Sequence, residues 1–175
     1  MNALDAANYL IYLMSDACED LTNMKLNKLL YYAQGHYLKK YGIPMFEDEI
    51  EAWEHGPVIA VVYTKYKCNG NDPITIYAKE DIEKVQNENI EILFEVAREY
   101  GKYTASALRN MTHALKSPWD QTYEEGKNHK VIPKSLIHQY FVETVLDIEP
   151  VKSNYTEEEF IGYRDENGIL VLPKE

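Results

Sequence analysis

The sequence predicts a mainly α-helical protein of about seven helices with minor β content, a compact single helical domain followed by a C-terminal β-hairpin. Three observations carry that prediction. Apolar residues recur at three- and four-residue steps through most of residues 1–145, the period of a helix buried on one face. Stop and start residues, Gly42, Gly101, Pro118 and Pro133, separate those stretches. Near the C-terminus, Asn167-Gly168 lies between two short apolar runs, the pattern of a hairpin. Residues 1–145 are therefore expected as the helical domain and residues 146–175 as an acidic extension. With 175 residues, 45% of them apolar, the chain can fill one core.

Leu4, Ala7, Leu10, Ile11, Met14, Ala17 and Leu21 define the buried face of a first helix. Thr22 is placed to cap a second, whose stripe is Leu26, Leu29, Leu30, Ala33, Tyr37 and Tyr41. Gly42 suits its left-handed end, and Pro44 prevents continuation. An extended stretch at 49–54 then delivers Trp53 and stops at His55-Gly56-Pro57. Val58–Tyr66 is a conflict between a β-branched run and helical spacing at 58, 61, 62 and 66. Pro57 favours a first helical position, so a helix is expected there. Asn69–Pro73 reads as a turn and Ile74–Tyr77 as a short strand. Ile90, Leu93, Phe94, Ala97 and Tyr100 form a helix ended by Gly101, and Thr104 caps the next, with Leu108, Met111 and Leu115. Ser117-Pro118-Trp119-Asp120 supplies an N-cap, a first-turn proline and an acidic third position. Pro133 opens a last helix burying Leu136, Ile137, Tyr140, Phe141 and Val145. In the hairpin, Ile161, Tyr163, Ile169 and Val171 share a face expected to dock on the helices.

Charge narrows the function. Eighteen basic against 29 acidic side chains give a net charge of -11, which repels a phosphate backbone, so direct nucleic-acid binding is not expected. The most apolar N-terminal window, residues 6–15, is short and follows Asp5, so neither a membrane span nor a signal peptide is expected. Cys18 and Cys68 read as free thiols, consistent with a cytoplasmic protein. The five histidines never fall at the helical i, i+4 spacing of a zinc pair. No Gly-rich phosphate loop or GxSxG elbow is present. No metal, cofactor or catalytic residue is expected. The carboxylate run Glu47–Glu54 reads as a solvated strand edge, with acid/base chemistry or docking of a basic partner as alternatives.

The strings Lys28-Leu29-Leu30-Tyr31-Tyr32-Ala33-Gln34-Gly35, Ile50-Glu51-Ala52-Trp53-Glu54-His55-Gly56-Pro57-Val58, Thr112-His113 and Ser117-Pro118-Trp119, in this order, carry a family resemblance. The chain resembles the Panacea domain family of SocA-like antitoxins over about residues 26–141. The resemblance implies a non-enzymatic antitoxin that neutralises a cognate toxin, encoded beside it, by direct protein binding. It also implies a second partner class, since SocA-like proteins include an adaptor to a ClpXP-type protease. Many relatives carry an N-terminal DNA-binding domain, whereas here the first helix begins almost at once, so operator binding is not expected.

Partner contacts are expected at Tyr31, Tyr32, Gln34, Glu51, Trp53, Glu54 and His55, with the tyrosines, Gln34 and His55 as surface residues. Packing or backbone roles are expected of Lys28, Leu29, Leu30, Ala33, Gly56, Pro57, Thr112, His113, Pro118 and Trp119, with His113 hydrogen-bonded at a helix end. The alternatives are a phage or prophage-borne inhibitor of a host defence or replication protein and, behind it, a small carboxylate-dependent enzyme.

Overall fold

A computed structural model describes residues 1–15, 21–75, 87–127 and 129–147, together with the strand pairs 163–164 and 170–171. Helix α1 (Ala3–Met14) starts on an Asn2–Asp5 capping box. Helix α2 (Asn23–Tyr41) starts at Thr22, whose side chain accepts the Lys25 N–H, and ends at Gly42 with φ 71°. Strands β1 (Glu51–Trp53) and β2 (Gly56–Val58) form a hairpin. Then come α3 (Ala60–Tyr66), a 3-10 turn (Lys67–Asn69), α4 (Asn87–Tyr100), α5 (Ala105–Thr112) and α6 (Pro118–Thr122). Strand β3 (Lys130–Val131) joins the free edge of β1, giving the antiparallel order β2-β1-β3, and α7 (Lys134–Thr144) follows. Seven helices and a small sheet make the chain mainly α with minor β among the described residues.

Helix α2 is the axis, packing against α1, α3, α4, α5, α7 and β2. Its expected stripe is therefore too narrow. Besides Leu26, Leu29, Leu30 and Ala33, it buries Lys25, Asn27, Lys28, Tyr31, Tyr32, Gln34 and His36. A Cβ on Gly35 would overlap the Phe141 ring, so the absence of a side chain there sets how closely α7 approaches. Around that contact Tyr31 meets Phe141 edge-on, Tyr32 stacks on Tyr100 at 4.1 Å, and His36 Nε2 shares a hydrogen bond with Tyr100 OH at 2.9 Å.

Several local expectations are corrected. Pro57 does not open a helix: it lies in β2 opposite Ala52, and the helix begins at Ala60. β2 is an edge strand, where a residue without an N–H is tolerated. Met111 and Leu115 are exposed and Leu136 is only half-buried, whereas Leu108, Ile137 and Phe141 are buried. Residues 74 and 75 form no strand; 76 and 77, like Ala17 and Cys18, lie outside the described residues. The strands β4 (Tyr163–Arg164) and β5 (Leu170–Val171) pair antiparallel, as a hairpin requires. Their register, Tyr163 with Val171, leaves an odd number of residues between them, whereas a two-residue Asn167-Gly168 turn needs an even one. The expected docking of this hairpin lies outside the described residues.

Candidate functional site

Four separate stretches of sequence meet at the β1–β2 hairpin. From α2, Asn27 Oδ1 accepts the Ile59 N–H at 2.9 Å, and Lys28 Nζ donates to the Pro57 carbonyl at 2.8 Å. Both side chains are about 1% exposed, so each hydrogen bond is made where water cannot substitute. Gly56, at φ 99°, lies on Lys28 and the α5 residue Thr112; an added Cβ would stand 2.8 Å from Lys28 Nζ and 2.9 Å from Thr112 Oγ1. This position needs both a positive φ and the missing side chain.

The α5–α6 junction supplies the rest. Ser117 caps α6 by accepting the Asp120 N–H at 3.2 Å and donates its own hydroxyl to Thr112 O at 2.8 Å. Asp120 accepts instead from the Lys116 N–H at 2.8 Å, one residue before the cap. Pro118 is buried in the first turn. Trp119 Nε1 donates to the Trp53 carbonyl at 2.7 Å, tying α6 to the end of β1. The His113 ring stacks on Trp119 at 3.6 Å, and Trp119 on Tyr123 at 4.7 Å. His113 thus stands at the helix end as expected, but its contact is a stack; Nε2 is buried without a hydrogen-bond partner among the described residues. Burial, then the charges of Arg109, Lys28 and His55, lower its pKa to about 4. Burial, then Arg109, lowers that of Lys28 to about 7.

On the outer side of the hairpin, Trp53 packs edge-on against Tyr63 at 4.9 Å and His129 at 5.1 Å. Glu51 accepts both Trp53 Nε1 at 2.7 Å and His129 Nδ1 at 2.6 Å. His129 has φ 71°, an unusual backbone for a non-glycine residue. Glu54 and His55 are exposed at the turn, and Tyr63 is 38% exposed. The other carboxylates of the run diverge: Glu47 pairs with Lys134 at 2.7 Å, and Asp48 accepts the Ala3 N–H at 2.8 Å at the start of α1.

The expected surface residues divide. Glu54 and His55 are exposed, and Glu51 and Trp53 half-buried. Tyr31, Tyr32 and Gln34 are buried at 2%, 6% and 0% exposure, which corrects their placement on the surface. Gln34 instead clamps the loop after α2, accepting from Met45 N at 2.9 Å and donating to Phe46 O at 3.0 Å. Leu29, Leu30 and Ala33 are core residues as expected. Tyr63 follows the Ile50–Val58 string in the family resemblance but is not among the expected partner contacts, and neither His129 nor Arg109 stands out in the sequence. Arg109 could have been singled out, since it precedes His113 by four residues and so shares its helical face. His129 gives no such sign, because only the β1–β3 pairing brings it to Trp53.

Among the described residues, no cluster of three or more His, Cys, Asp or Glu could hold a metal, and no helix is long and apolar enough to cross a membrane. No solved structure matches the chain. Antitoxin SocA of Caulobacter vibrioides is 35% identical over 113 residues, a match covering 57% of this chain and 58% of that relative. The model of the family described as antitoxin SocA-like, Panacea domain, matches residues 26–120, from the start of the buried α2 stripe through the Trp119 stack. The chain belongs to the SocA-like antitoxin, Panacea domain family.

Proposed function

We propose that the chain is a non-enzymatic antitoxin that neutralises a cognate toxin, encoded by an adjacent gene, through direct contact with the outer face of the β1–β2 hairpin. The observation that carries the location is the half-exposed cluster of Trp53, Tyr63 and His129 edged by Glu51 and Glu54. A large aromatic surface with a carboxylate rim is the composition of an interaction hot spot for a basic partner. The cluster is braced from behind by the Trp119–Trp53 hydrogen bond, so little ordering is left for binding to impose. The net charge of -11 favours fast encounter with a basic protein.

The neighbouring gene expressed alone is expected to arrest growth, and co-expression of this chain to relieve the arrest. In Trp53→Ala, affinity for the purified partner should fall about 30-fold, the scale of a central aromatic anchor. Glu54→Lys, at an exposed turn, should keep the circular dichroism spectrum and melting temperature while weakening binding. A harmless neighbour that does not bind this chain overturns the proposal. Hand-over to a ClpXP-type protease is the second arm: the toxin's half-life should shorten on co-expression only in cells that retain the protease.

A further inference from the structure

The inner side of the same hairpin holds a different chemistry. Lys28 Nζ, at the end of a side chain 1% exposed, has three N–H donors and one acceptor, the Pro57 carbonyl. Arg109 Nε and His113 Nε2 are both buried and have no hydrogen-bond partner among the described residues. Among the described residues neither Lys28 nor Arg109 forms an ion pair, although acidic residues outnumber basic ones 29 to 18 in the chain. Asp120, the carboxylate that acts on His113, is already engaged by the Lys116 N–H. A contrast lies at the α2–α4 pocket lined by His36, Lys39, Lys40, Glu91 and Asp147. There Lys40 pairs with Glu91 and Lys39 with Asp147, each at 2.8 Å, so both cations are paired from within, and Glu95 also lines the pocket.

Unpaired buried donors of this kind cost stability. A group that accepts from them recovers that cost on binding. The three belong to α2 and α5, which pack against each other. Arg109 and His113 are half-buried, whereas Lys28 is about 1% exposed and lies against Gly56.

We propose that Lys28, Arg109 and His113 form a receptor for one oxyanion, a carboxylate or a phosphate group, bound between α5 and the inner side of the β1–β2 hairpin. Burial first, and then the charge of Arg109, disfavours a proton on Lys28 and on His113, and an anion among them opposes the second effect. Arg109 acts on Lys28, and Arg109, Lys28 and His55 act on His113 as positive or titratable groups, with Asp120 opposing them there. Binding is therefore accompanied by proton uptake and tightens from pH 8 to pH 6. This site is separate from the outer face to which toxin binding is assigned, and its occupant can be a free anion or an acidic group of a bound protein.

The test uses the full chain alone, so toxin neutralisation and oxyanion binding can fail independently. The histidine ring signals are followed by NMR while sodium phosphate or sodium acetate replaces sodium chloride at constant ionic strength. The His113 signal should shift saturably with at least one of them, with a dissociation constant on the order of millimolar for so small a ligand. The His36 signal, from a ring held against Tyr100, should stay fixed. Arg109→Gln should weaken the response about tenfold, as expected for losing a charged hydrogen-bond donor, and Lys28→Met should do the same. If Lys28→Met does not fold, Arg109→Gln, at a half-buried position, carries the test. Saturation by phosphate alone assigns a free phosphate group; saturation by acetate assigns a carboxylate. A linear drift shared by all histidines, or an unchanged response in Arg109→Gln, overturns the proposal.

Discussion

Lys28 carries an ammonium group in a place that excludes water, and the sign of its effect on stability follows from that. Its pKa falls from 10.5 to about 7 on folding, so between these values the unfolded chain binds more protons than the folded one. Stability then rises with pH across that window, and below pH 7 the full penalty of a buried charge is present. Urea midpoints measured from pH 7 to pH 9 should rise with an underlying slope of up to ~1.4 kcal/mol per pH unit. Lys28→Met should lose that slope; a parallel profile in the variant would remove Lys28 as its source. At this scale the sequence was legible for apolar residues and misleading for polar ones. Tyr31, Tyr32 and Gln34 carry polar tips that invite a surface reading, yet α2 is buried around most of its circumference from Lys25 to His36. A 3.6-residue stripe describes a helix lying on a core, not one running through it.

Between residues and the whole molecule lie the elements, and their boundaries were legible where the signal is local. Thr22, Gly42, Thr104 and Ser117 all cap as their chemistry suggests, because a cap needs only the backbone within a turn of itself. The switch at Ile59 was not legible. Val58 belongs to the strand and Val62 to the helix, so both competing preferences are satisfied, and the divide is set by a partner 32 residues away. Asn27 Oδ1 takes the Ile59 N–H at the helix start, while its amide donates to Asn23 O and Oδ1 at 3.0 and 2.9 Å. Asn27→Ala removes the acceptor and leaves a buried N–H without a partner. The expected loss is about 1–3 kcal/mol, read as a lower urea midpoint at unchanged denaturant slope. Asn27→Asp keeps the acceptor oxygen but buries a charge, so it should not restore wild-type stability at neutral pH. Recovery by Asp would place the effect elsewhere.

Across the whole molecule, charge is distributed unevenly, and the C-terminal segment holds much of the imbalance. Removing residues 146–175 deletes eight acidic and three basic side chains and takes the net charge from -11 to -6. Among the described residues the helical part of the chain loses little by this. Lys39 donates to the Val145 carbonyl at 2.6 Å, which truncation retains, and its 2.8 Å pair with Asp147 involves a carboxylate 83% exposed, worth little to stability. A chain ending at Val145 should therefore keep its helical circular dichroism and a melting temperature within a few degrees of the full chain. Binding to the toxin should respond differently, because an acidic segment near a basic partner acts over roughly a Debye length, about 10 Å at 0.1 M salt, without requiring a fixed contact. The expected result is a slower association rate, a weaker affinity at low salt and a shallower dependence of affinity on salt, with dissociation at high salt unchanged. Equal salt slopes for the full and shortened chains, both folded, would assign the recognition charge to Glu51 and Glu54 at the hairpin and leave the C-terminal segment with a solubilising role.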